Sequence, residues 1–164
     1  MRLAYNALGN DWESAVLDSK VIAARWYVGE LPGEDMPAIA CQALAQGLDG
    51  KNLRYLAGLS SPVRRDILDI VDGALQELGV QAPITPHDAA LWMARRLADD
   101  IVAGRTEPYG AACRIWLSYS SEALELNHWS DMVINYEVEA KTGKVEKAKL
   151  QIEQAARDLL STTK

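Results

Sequence analysis

The chain holds two histidines, and the residues around them set what chemistry they can do. His87 falls in Thr85-Pro86-His87-Asp88 and His128 in Asn127-His128-Trp129-Ser130-Asp131. A metal centre needs three or four converging ligands, and neither an HExxH nor a Cys-x-x-Cys spacing occurs. Both histidines therefore read as surface or capping residues, and no metal or cofactor is expected. No serine stands in a G-x-S-x-G turn, and there is no P-loop or G-x-G-x-x-G stretch. Cys41 and Cys113 sit among Ala, Ile and Leu with no histidine nearby. They read as buried free thiols, which suits a reducing compartment.

Carboxylates are the other chemistry-bearing group. Asp66, Asp69 and Asp72 recur every three residues, a spacing with which carboxylates can converge on a divalent cation. Arg64 and Arg65 stand one turn away, so a solvated face with an Arg65–Asp69 pair is the better reading. Arg95–Asp99 and Arg96–Asp100 carry the same four-residue spacing. Two alternative functions remain open at this level. One is an enzyme of metal-assisted hydrolase type, with His128, Asp131, Arg114 and Tyr119 assembled between helices. The other is a helix-turn-helix regulator, with Arg95, Arg96, Arg105 and Trp92 on phosphate. The net charge of −6 argues against the latter, because phosphate binding needs a basic patch. No nucleic-acid partner is expected.

Helical periodicity dominates the elements that would position these residues. Val63, Ile67, Ile70, Val71, Ala74, Leu75 and Leu78 follow the spacing of one buried helix face. Leu91, Ala94, Ala98 and Ile101 repeat it. So do Ala111, Ala112, Ile115, Trp116 and Tyr119, and then Val145, Ala148, Ile152, Ala155 and Leu159. Trp12, Val16, Ala23 and Trp26 suggest a helix near the start. Asn10-Asp11-Trp12-Glu13 and Thr85-Pro86-His87-Asp88 are helix starts, each a capping residue with an acid three positions on. Pro37, Pro62 and Pro108 suit first helical positions. Gly29, Gly47, Gly58, Gly79 and Gly104 fall where the patterns stop. The spacing predicts helices near 11–29, 36–47, 51–57, 62–78, 86–103, 107–119, 128–140 and 144–160. No run alternates with period two. The fold class is all-α, read as a single compact domain over residues 1–164 with seven or eight helices in orthogonal or bundle-like packing.

Charge and aromatic residues point to a surface. Residues 107–140 carry six acids (Glu107, Glu122, Glu125, Asp131, Glu137, Glu139) against Arg114 alone, a net charge of −5. Lys141–Lys164 carries six bases against three acids, a net charge of +3. The two blocks either pair within the chain or leave the acids free for a basic partner. Phenylalanine is absent, so five Trp and six Tyr supply every aromatic ring, and these types are enriched at interfaces. Glu122, Glu125, Trp129, Asp131, Tyr136, Glu137 and Glu139 form the candidate partner-binding set. Core packing is the alternative for Trp129 and Tyr136.

The 164-residue chain is 49% hydrophobic and 24% charged, which excludes disorder as the main state. The longest uncharged stretch, Met36–Leu48, has 13 residues, too few to span a bilayer. Asp11 and Glu13 interrupt any early apolar run, which argues against a signal peptide. A cytoplasmic protein with no membrane partner is expected. Ala43-Leu44-Ala45-Gln46-Gly47-Leu48-Asp49, then Leu53-Arg54-Tyr55-Leu56-Ala57-Gly58-Leu59, resembles blocks in small all-helical bacterial proteins of unknown function. Ala98-Asp99-Asp100-Ile101-Val102-Ala103-Gly104, leading into Pro108-Tyr109-Gly110-Ala111 and Arg114-Ile115-Trp116, is similar to a second such block. The resemblance covers roughly 43–116 and implies an all-helical fold with no established activity. Some acidic helical proteins of this size are immunity proteins that neutralise a basic toxin domain. The expected function is therefore a non-enzymatic acidic binding protein, immunity-like in mode.

Overall fold

The computed structural model describes residues 17–80 and 84–162. Among them it has eight α-helices and no strand, the all-α class that the periodicity predicts. They are α1 (Ser19–Tyr27), α2 (Met36–Ala45), α3 (Lys51–Ala57), α4 (Leu68–Glu77), α5 (Pro86–Val102), α6 (Pro108–Arg114), α7 (Trp129–Lys141) and α8 (Val145–Ser161). Single 3₁₀ turns occupy Gly33–Asp35, Arg64–Ile67 and Leu124–Leu126, and a π-turn follows α6 at Ile115–Tyr119. The start expected at Asn10–Glu13, with Trp12 and Val16, lies outside the described residues. No helix among the described residues is long and apolar enough to cross a membrane. The chain divides into two units. One holds residues 31–80 and α1 up to Ala23; the other holds residues 24–30 and 84–162.

In the first unit α2 packs on α3 and α3 on α4. Ile39, Ala40 and Ala43 of α2, Leu53 and Leu56 of α3, and Val71, Ala74 and Leu75 of α4 form buried faces. Each set keeps the three-to-four spacing that burial of one helix stripe requires. The start of α3 has no cap of its own, since Gly50 precedes it. Glu77 from the end of α4 supplies one. Its carboxylate accepts from the backbone N–H of Asn52 at 3.2 Å and of Leu53 at 2.8 Å, and from Asn52 Nδ2 at 2.9 Å. A side chain at either nearby glycine would push this cap aside: a Cβ on Gly50 would stand 2.0 Å from the Glu77 carboxyl carbon, and one on Gly73 2.4 Å from Asn52 Nδ2.

Three expectations in this unit are corrected. Pro62 does not open a helix. Val63 is extended, a 3₁₀ turn follows, and α4 starts at Leu68. The segment is held as chain instead: Arg64 Nη1 donates to the Leu31 carbonyl at 3.2 Å, and a Cβ on Gly33 would stand 2.5 Å from the Arg64 backbone nitrogen. Arg65 thus lies in the tighter turn, Arg65 and Asp69 form no ion pair, and Asp66, Asp69 and Asp72 are all exposed. Cys41 is exposed rather than buried, because Ile39, Ala40 and Ala43 turn the other face of α2 inward. Gly58 does end its helix as its place predicts, with a negative φ where Gly29, Gly47, Gly79 and Gly104 have positive ones.

In the second unit α5 lies along α8, and α7 packs against α6 and α8. Ala89, Ala90, Ala94 and Ala98 of α5 and Ala148 and Ala156 of α8 are buried. Small side chains at these positions let two helix backbones approach closely. Thr85 caps α5 as its sequence predicts, accepting from the Asp88 N–H at 3.1 Å. Glu107 caps α6, accepting from the Gly110 N–H at 2.7 Å. Arg95 does not pair with Asp99. Its Nη2 donates to the Thr162 carbonyl at 2.8 Å, satisfying one of the open carbonyls beyond α8. Arg105, past the end of α5, binds both Asp99 and Asp100, the latter at 2.7 Å.

Candidate functional site

The second unit contains one buried carboxylate, Glu30, at 7% exposure. Arg114 Nη2 donates to its Oε2 at 2.8 Å, and the Tyr119 hydroxyl donates to its Oε1 at 2.8 Å. Arg25 Nε lies 3.9 Å from Oε2, too far for a hydrogen bond. The π-turn explains how two residues five apart reach one acceptor. An i to i+5 repeat brings Arg114 and Tyr119 to the same side, whereas an α-helix would set them roughly 140° apart. Burial first, and then the Glu30 carboxylate, push the Tyr119 hydroxyl far above its ordinary titration range. It stays protonated and serves as a fixed donor, not as an acid or base. This cluster holds residues 24–30 to α6 and the π-turn.

The four residues of the hydrolase reading are therefore divided. Arg114 and Tyr119 are spent on Glu30. His128 and Asp131 are exposed on the first turn of α7. The regulator set is likewise engaged in the fold: Arg95 on Thr162, Arg105 on Asp99 and Asp100, and Arg96 over the Trp92 ring at 5.7 Å from its centroid.

The partner-binding set divides by exposure. Glu122, Glu125, Asp131 and Glu137 are exposed, and Glu139 is half-buried. Trp129 is fully buried in the core of the second unit, which removes it from any contact surface. Its place at the first position of α7 turns it inward with Val133, one turn on. Tyr136 is half-buried and stacks on Tyr109 with ring centroids 4.3 Å apart. The Tyr109 hydroxyl donates to Glu137 at 2.9 Å; contact with Cys113 and then with Glu137 raises the pKa of that hydroxyl. Sequence reading missed that both histidines converge on Glu125. His87 Nε2 lies 2.9 Å from its Oε1, and His128 Nδ1 lies 2.7 Å from its backbone carbonyl. A carbonyl can only accept, so His128 Nδ1 carries the proton and, in the neutral ring, Nε2 keeps a lone pair. The Glu125 backbone N–H, and after it His87, hold the Glu125 carboxyl below the usual carboxylate range.

Beside Glu125 lies a groove of about 510 Å³. Leu91, Met132, Ala155 and Leu159, from α5, α7 and α8, form an apolar floor continuous with the core. Glu125, His128, Asp158 and Arg95 stand among its polar lining. Asp158 accepts from Gln154 Nε2 at 2.8 Å and is otherwise open to solvent. The groove combines an apolar floor with polar groups at its rim, a lining that suits binding of an amphipathic group. Among the described residues no group of three His, Cys, Asp or Glu is placed to hold a metal ion. No family model, curated protein or solved structure matches the chain.

Proposed function

We propose that the chain is a non-enzymatic binding protein that offers the acidic surface of residues 107–140 to a basic protein. The observation that carries this reading is that five of the block's six acids are exposed. Among the described residues no ion pair joins it to the bases of 141–162. Those bases pair locally instead, Lys149 with Glu146 and Arg157 with Glu153. Among the described residues the basic segment reaches the acidic block only through a longer-range attraction between Lys149 and Glu107.

The same window exposes apolar side chains between its acids: Leu117 at 70%, Leu124 at 72%, Ile134 at 51% and Val138 at 55%. An acidic field speeds encounter with a basic partner, and apolar groups supply the contacts that slow its release. With Trp129 buried, these aliphatic residues and the edge of Tyr136 take the anchoring role first assigned to tryptophan. The action is occlusion, and neutralisation of a basic toxin domain is its most specific form. Two free cysteines suit work in the cytoplasm.

The test is capture from native lysate at low and high salt. It compares the chain with a variant carrying Glu122→Lys, Glu125→Lys, Glu137→Lys and Glu139→Lys. A basic protein retained by the native chain at low salt, released by salt and lost in the variant is the expected result. Retention by the variant with unchanged salt dependence overturns the surface assignment.

A further inference from the structure

The groove beside Glu125 gives the proposed contact a specific seat. Its floor is aliphatic, so its occupant has an apolar stem. Its rim decides the charge. Glu125, with one oxygen on His87, and Asp158 are exposed carboxylates, and His128, whose Nδ1 is held by the Glu125 carbonyl, leaves Nε2 free beside them. The C-terminal end of α8, which carries the negative pole of the helix dipole, closes the same side through Thr162. Arg95 is the one fixed cation in the lining, and one of its donors is already committed to the Thr162 carbonyl. Two carboxylates thus face one guanidinium around an apolar floor, in a chain of net charge −6.

We propose that this groove seats a lysine or arginine side chain of the basic partner. The aliphatic stem lies on Leu91, Met132, Ala155 and Leu159, and the charged head sits among Glu125, Asp158 and His128. Long basic side chains bury their methylenes and keep their heads wet, which matches a floor and rim of this kind. The inference rests on the reading of the chain as the partner of a basic protein.

The probe is n-octylammonium, compared with octanoate and octanol, titrated into the ¹⁵N-labelled full chain by amide NMR. Octylammonium is expected to shift the amides of Met132, Ala155 and Leu159, with a dissociation constant of roughly millimolar order for so few atoms. Octanoate should bind about tenfold more weakly, since reversing the head charge turns a modest attraction into a modest repulsion. Asp158→Asn, an exposed change, should weaken octylammonium by about threefold and leave octanol unaltered. Octanoate binding as well as octylammonium, or shifts confined to other surfaces, overturns the proposal. So does partner capture that an excess of octylammonium leaves undiminished. The two readings fail separately: Glu122→Lys with Glu137→Lys and Glu139→Lys alters the acidic surface outside the groove lining. Unchanged capture by that variant overturns the surface reading, while octylammonium selectivity tests the groove.

Discussion

Replacing Glu30 by alanine should be among the most damaging single changes of a charged residue in the second unit. Its side chain is 5% exposed and accepts from Arg114 and Tyr119, both at 2.8 Å. Removal leaves the buried Tyr119 hydroxyl without an acceptor, which costs about 1–3 kcal/mol. It also leaves Arg114 without its carboxylate. Breaking a buried ion pair costs about 3–5 kcal/mol as a whole. Arg114 keeps 28% of its side chain exposed, and water recovers part of the loss, so the low end applies: about 3 kcal/mol. Tyr119→Phe keeps the ring and the Arg114 pair, and should cost about 1.5 kcal/mol for one hydrogen bond to a charged acceptor. Arg54→Ala is the control. The Arg54–Asp49 pair is as short, at 2.6 Å, but its side chains are 66% and 62% exposed, so its loss should cost far less than the Glu30 change. Urea unfolding followed by far-UV circular dichroism reads all three, and the fluorescence of buried Trp129 reports on the second unit. A loss for Glu30→Ala no larger than for Arg54→Ala would refute the view that burial, rather than pairing alone, sets the value of this cluster.

Further outcomes follow from the same geometry. Gly50→Ala should displace the Glu77 carboxylate from the start of α3 and cost about 1 kcal/mol, the worth of a helix cap; combined with Glu77→Ala in a double-mutant cycle it should add almost nothing, because the cap is lost once. Tyr119 holds its proton more tightly folded than unfolded, so its stabilisation is whole below about pH 10 and drains away as pH rises above that value. Phenolate absorbance in an alkaline titration should show its ionisation only together with unfolding; early ionisation of all six tyrosines in folded protein would contradict its burial. Cys41, exposed, should react with a thiol reagent in the native state much faster than Cys113, whose pKa burial raises. Equal rates would contradict that ordering.

The fold was legible because helices announce themselves locally. The α5 face Leu91, Ala94, Ala98 and Ile101, the Thr85 cap and the prolines at 86 and 108 all act within a few residues of themselves, and each lands where its spacing predicts, while Pro37 falls one place inside α2. Expectations failed where a distant segment overrode the local signal. Pro62 suits a helix start, yet Val63 is extended and the chain at 31–33 holds Arg64 at the start of a 3₁₀ turn instead. Arg95 has Asp99 four residues on, yet it closes the end of α8, 67 residues away.

The candidate site is made almost wholly of such distant contacts, which is why its residues were only half legible. Glu30 meets Arg114 across 84 positions, and His87 meets Glu125 across 38. No spacing rule links either pair. A weaker signal did exist for Glu30, a lone acid between Val28-Gly29 and Leu31-Pro32, where an ionised group in an apolar stretch needs a partner. The acids of 107–140 were visible as a composition, but composition has no direction. Placing Trp129 inward and Asp131 outward takes the phase of α7, which its first turn fixes by packing against a core that includes Leu126 and Ile152. That same phase sets Met132 toward α8, so the choice that buries the tryptophan also provides one wall of the groove. An aromatic anchor was lost from the surface, and an aliphatic floor beside the acids took its place.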